Sequence, residues 1–225
     1  MKFIRFNMNP YEVRTNDCVT RALVAATKYG YRTIAKRLGL EFLKGKGVDG
    51  VTPTEFLAFS KNTKLVTNVE VDIGENWNIP QREYLKFMQY KGFSMGTYLQ
   101  NLTPEVLGGE EAIFLVKMKP DDAISDIVGD KTRFHAIYGN VATKTYVDLE
   151  DTKDQIVFDI YVANRKRQCK EKSPRYFIKE DWELWSENRR YLNAHFRKGE
   201  NAEGLNESGN GNIDVWKNGY RRIYG

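Results

Sequence analysis

The hydrophobic pattern of this chain changes period once, near Ala112, and that change limits the folds open to it. Before it, apolar residues recur at helical spacing. Asn16 or Asp17 stands where a helix cap belongs, and Val19, Ala22, Leu23 and Ala26 follow the i, i+3, i+4, i+7 rule toward Gly30. A second helix is predicted over residues 31–38, closed by Gly39. A third starts at Thr52, with Pro53 at the first helical position and Glu55 completing a capping box, and continues through Phe56, Leu57 and Phe59. Residues 80–90 and 104–107 are weaker helical candidates. From Ala112 onward the residues are those of strands. Residues 112–118 form the near-continuous apolar run expected of a central strand, and 135–139, 144–149 and 156–162 follow, separated by turn-forming segments. Helices first and then an antiparallel meander predict an α+β fold.

At 225 residues the chain suits one large domain, or one domain with an appendage. Its 41% hydrophobic and 29% charged residues exclude wholesale disorder. The longest clean apolar stretch, 112–116, is far short of the roughly 20 residues that a spanning helix needs, so no membrane partner is expected. The first ten residues lack the apolar core of a signal peptide, which predicts a protein kept in a cytoplasm. The charge balance divides the chain. Residues 1–164 hold 21 basic and 21 acidic side chains, whereas 165–225 hold 14 and 9, so the whole excess of +5 lies in the last quarter. The expected organisation is a main domain over 1–164 and a basic extension over 165–225. That extension reads as a helix over 179–196 with Trp182 and Trp185 as core anchors, a Gly- and Asn-rich connection over 199–212, and a hairpin turning at Asn218-Gly219. Its basic run, 165–172, would reach phosphates only weakly, so nucleic acid is a minor partner candidate.

Two cysteines, Cys18 and Cys169, form at most one disulfide, and two histidines, His135 and His195, complete the list of soft ligands. Neither C-x-x-C nor H-x-x-x-H spacing occurs, so neither a metal nor any other cofactor is expected. Cys169 reads as an exposed thiol and His195 as a surface residue. Cys18 falls at the first or second position of the clearest helix, where free N–H groups and the helix dipole favour a thiolate. Taken alone, such a cysteine reads first as a small buried residue. Asp17 beside it disfavours the thiolate. The better base is His135. If the following hairpin has an even loop centred between Val141 and Ala142, paired residue numbers sum to 283 and His135 faces Asp148 directly, with Ile137 and Tyr146 on the same side. By themselves His135 reads as a satisfied core histidine and Asp148 as a strand-end carboxylate. Together with a helix-start cysteine they make nucleophile, base and orienter.

Asn16-Asp17-Cys18-Val19-Thr20-Arg21-Ala22-Leu23, then Phe134-His135-Ala136-Ile137, then Tyr146-Val147-Asp148, resembles the papain-like cysteine peptidase fold in a compact form found in bacteriophages. The resemblance covers residues 15–151, roughly 60% of the chain. It implies N-terminal helices packed on an antiparallel sheet, a catalytic Cys18, His135 and Asp148, and a peptidase or amidase needing no cofactor. It also implies a protein or peptide substrate, a viral or host protein partner, and a location in host cytoplasm or virion. One departure stands out. Such enzymes place a Gln several residues before the cysteine to hold the oxyanion, and here Glu12 occupies the six-before position. Asn16 is the nearest amide and becomes the candidate substitute, its alternative reading being a helix cap. Loss of that donor would leave a binding module in place of an enzyme.

Overall fold

The computed structural model describes residues 1–11, 13, 15–27, 29–43, 45–71, 77–117 and 134–164. The expectations for Glu12, Cys169, His195, Trp182, Trp185, the 165–172 basic run, the 199–212 connection and the last helix and hairpin lie outside these residues.

A six-stranded mixed sheet organises the fold, in the order β1(Lys2–Arg5), β5(Thr145–Asp148), β4(Phe134–Asn140), β3(Glu111–Lys117), β6(Ile156–Ala163), β2(Val66–Val69). The fold is α+β, with six helices among the described residues before the third strand in the chain: α1(Cys18–Ala26), α2(Tyr31–Arg37), α3(Pro53–Thr63), α4(Gln81–Tyr90), α5(Met95–Asn101) and α6(Pro104–Leu107). Strand β3 is central, as its apolar run predicts, and six of its seven residues are buried. The simple antiparallel meander is corrected in two ways. Strand β6 does not pair with β5 but returns to the far side of β3, giving the 6-3-4-5 order of a Greek key. Strand β1, which helix-and-strand periodicity missed, adds a parallel edge against β5 through Lys2 to Arg5. Four residues are too few for an alternation signal, and their pairing partners lie more than 140 positions away. Short β2 and α5 escaped for the same reason.

Each face of the sheet carries its own apolar cluster. One joins α1, α2 and α3 to Ile113, Leu115, Ala136, Tyr138, Val147 and Tyr161. The other joins Phe93, Leu99 and Leu102 to Phe114, Ile137, Tyr146 and Ile160. The alternation of β4, with Ala136 and Tyr138 on one side and Ile137 on the other, is the two-residue period of a strand buried on both faces.

Helix α1 is the most deeply placed. Eight of its nine residues are buried and Cys18 alone is not, so it has no solvated face. It also stops at Ala26, with Thr27 extended, rather than running to Gly30. The alanines do what small residues allow. Ala22 and Ala25 share with Ala136, Tyr138 and Val147 the walls of a cavity of about 10 Å3, room for one water at most, between the helix and the sheet.

Candidate active site

Helix α1 begins at Cys18 itself, with Asp17 as its cap residue, and no side chain caps it. Asn16 and Asp17 were the expected caps. Neither serves. Asp17 is 1% exposed, and its carboxylate turns inward. Oδ1 accepts from Arg21 Nε at 2.9 Å, one helical turn on, and Oδ2 accepts from Asn9 Nδ2 at 2.8 Å and Tyr31 Oη at 2.5 Å. Asn9 Nδ2 also donates to the Lys46 carbonyl at 3.1 Å, and Val48 N–H donates to Tyr31 Oη at 3.3 Å. Gly47 closes this nest at φ +101°; a Cβ there would stand 2.6 Å from Asn9 Nδ2 and 2.7 Å from Tyr31 Oη, so only glycine fits. Every oxygen of a buried carboxylate needs such donors, because burial without them costs several kcal/mol.

With its cap residue spent elsewhere, the first turn of α1 keeps N–H groups that no side chain covers. Cys18 stands at this open end. The thiol lies beside His135 on β4, hydrogen-bonded to its imidazole, and the N–H of Ala136 donates to the sulfur. Burial pushes the Cys18 thiol up, but these two hydrogen bonds, the charge of His135 and that of Arg21 outweigh it and bring the pKa below the ordinary thiol value. The imidazole moves the opposite way. Burial pulls it down, while hydrogen bonds to Asp148 and Cys18, and their negative charges, raise it to about 9. A lowered thiol beside a raised imidazole shifts the balance toward the thiolate and imidazolium pair.

His135 Nε2 contacts Asp148 Oδ2 at 2.7 Å. That leaves Nδ1 as the ring nitrogen available to the sulfur. Asp148 is 3% exposed and held on both oxygens. Thr152 Oγ1 donates to Oδ2 at 3.0 Å, the Leu149 N–H donates to Oδ1 at 2.7 Å, and Arg21 Nη1 lies 3.7 Å from Oδ1.

The pairing that leads to this contact differs from expectation. Strands β4 and β5 pair Tyr138 with Val147, Gly139 with Tyr146 and Asn140 with Thr145, a constant sum of 285 rather than 283. Asn140 causes the shift. Its Oδ1 accepts from the N–H groups of Ala142 and Thr143, both at 3.0 Å, so the turn begins one residue later and closes at Lys144 in the left-handed region, φ 54°. Continued to His135, that register would face it with residue 150, so Asp148 is offset from the directly opposed position by two residues. Diagonal neighbours remain within reach of long side chains, which keeps Asp148 accessible to the His135 ring. The ladder stops at Tyr138, so the strands part where the site lies. The expected floor is also corrected. Ile137 and Tyr146 belong to the apolar cluster on the other face, and the cavity beside Asp148 is walled by Ala136, Tyr138 and Val147.

Asn16 is exposed and is not brought to the sulfur. Its backbone carbonyl and Cβ lie against Gly50, where an added methyl would be 3.2 Å from each. The charged group on α1 that lowers the Cys18 pKa is Arg21, which Asp17 holds in place. Arg21 was the residue that sequence reasoning passed over. Its one local signal is the Asp17–Arg21 spacing of four, within an otherwise apolar stretch from Val19 to Ala26.

Among the described residues no group of three His, Cys, Asp or Glu side chains is arranged to hold a metal ion, and no helix is long and apolar enough to cross a membrane. Comparison of the chain with protein-family models, curated proteins and solved structures finds no match.

Proposed function

We propose that this chain is a cysteine-dependent amide hydrolase, a peptidase or amidase of the compact papain-like kind that bacteriophages encode, acting on a protein or peptide substrate. One observation carries the reading: the continuous line from the Cys18 thiol through the His135 ring to the buried Asp148 carboxylate, at the uncapped start of a helix. In the reaction the Cys18 thiolate attacks an amide or thioester carbonyl, and the electron pair of the C=O bond moves to oxygen. Collapse of that oxyanion breaks the bond to the leaving group, which takes the proton from the His135 imidazolium. His135 then removes a proton from water or an amine, whose oxygen or nitrogen bonds to the thioester carbon; breaking of the C–S bond releases the acyl group and restores the Cys18 thiolate and His135 imidazolium. Asp148 orients the ring throughout.

The oxyanion rests on the first-turn N–H groups of α1, because Asn16 faces solvent. That exposure also favours a second reading, a protein that keeps the fold to bind a viral or host partner without turnover. Iodoacetamide labelling followed by peptide mapping separates the two. Catalysis requires Cys18 to react faster than Cys169 and to form a covalent acyl-enzyme with an activated ester such as p-nitrophenyl acetate. Equal labelling of the two thiols, with no acyl adduct on Cys18, rejects it.

A further inference from the structure

The two oxygens of Asp148 divide their work. Oδ2 holds His135, and Oδ1 looks toward α1, where Arg21 Nη1 stands 3.7 Å away. An arginine whose only task was to satisfy Asp17 could do so from solvent. This one is 7% exposed and spans two carboxylates that belong to different elements, Asp17 at the start of α1 and Asp148 at the end of β5. It is also prevented from leaving. Asp17 grips its Nε and is itself held by Asn9 from the N-terminal segment and Tyr31 from α2. Since the β4–β5 ladder ends at Tyr138 and Val147, Arg21 is the charged link between the helix that carries the nucleophile and the strand end that carries the orienter.

We propose that Arg21 is a positioning residue for this site: its guanidinium ties Asp148 to the nucleophile's helix and sets the pH at which Cys18 becomes reactive. The inference rests on the catalytic reading above. The groups that face this cation are Asp17 and Cys18 on α1, Tyr31 on α2, His135 on β4, Asp148 on β5, Thr152 beyond it and Asn9 before α1. Three of them are anionic or become so, and among the described residues Arg21 balances them alongside the imidazolium. A planar fork reaches two carboxylates at once; a lysine ammonium keeps the charge but not the span.

The experiment measures the rate of Cys18 alkylation by iodoacetamide in the full chain, from about pH 4 to about pH 10, with melting temperature as the folding control. Arg21→Met should move the acid limb of the profile up by roughly one pH unit, the effect of withdrawing a nearby cation from a thiolate. Arg21→Lys should return part of that shift. Asp17→Asn, which leaves the guanidinium's charge undivided, should move the limb downward. A folded Arg21→Met protein with the wild-type profile overturns the proposal while leaving the catalytic reading intact. If Arg21→Met does not fold, an Asp17→Asn and Arg21→Lys pair that both titrate like wild type overturns it equally. If wild-type Cys18 is no more reactive than Cys169, the catalytic reading fails and the proposal falls with it.

Discussion

Helices α1 and α3 begin in opposite ways. At α3 the Thr52 hydroxyl accepts from the Glu55 N–H at 3.3 Å, Glu55 Oε2 accepts from the Thr52 N–H at 2.8 Å, and Pro53 takes the first helical position. That start is closed, with its orphan donors answered locally. At α1 the residue in the cap position has a carboxylate well suited to the same task, yet Asp17 turns into the interior to meet Arg21, Asn9 and Tyr31. That start is left open, and a cysteine stands in it. A closed helix start stabilises the fold. An open one keeps donors and dipole for something else, on the proposed reading a thiolate and the oxyanion that would form beside it.

The comparison breaks most readily at the sulfur. Cys18→Ala should abolish acyl-enzyme formation and lower turnover of an activated ester by roughly 1,000,000-fold, since removing a nucleophile leaves only binding and oxyanion contacts. Retained turnover would show that the open helix start serves another purpose. Asp148→Asn should come next, with a loss on the order of 10,000-fold in turnover as the ring loses its preferred tautomer. The same variant has a pH signature. His135 is protonated below about 9, so activity that needs the imidazolium as acid falls as pH rises through that value. Without the carboxylate the limb should move down toward the ordinary histidine value of about 6.5. An unmoved alkaline limb in a pH–rate profile would mean that Asp148 does not hold the ring.

Asp17→Ala sharpens the comparison from the stability side. It removes one partner of a buried pair and leaves the Arg21 guanidinium under-compensated, which should cost about 3 to 5 kcal/mol in a urea titration. Thr52→Ala, at the closed start, should cost only about 1 kcal/mol and leave Cys18 alkylation unchanged. Similar losses from both substitutions would erase the distinction drawn between the two helix ends.

The legible parts of this chain were those settled within a few residues. The capping box of α3 needs only Thr52, Pro53 and Glu55, and β3 announces itself by an apolar run that no surface element tolerates. That His135 and Asp148 would stand within reach of each other was legible too, since an even shift along a hairpin leaves them diagonal neighbours. Their register was not. It depends on Asn140 drawing the turn around its own side chain, a choice between two four-residue loops that composition alone leaves balanced.

From the order of its residues alone, the protein was committed to a mixed helix-and-strand fold, to a cysteine at a helix start, and to a histidine and an aspartate on one side of a hairpin. Tertiary structure decided the rest: the return of β6 to β3, the parallel β1 edge, the turning of Asp17 away from its own helix, and the reach of Arg21 across to Asp148. The physical reason is range. Backbone hydrogen bonds and side-chain periodicity act over a few positions and are written locally, whereas a buried charge takes whichever partner the packed chain brings within about 4 Å, from any distance along the sequence.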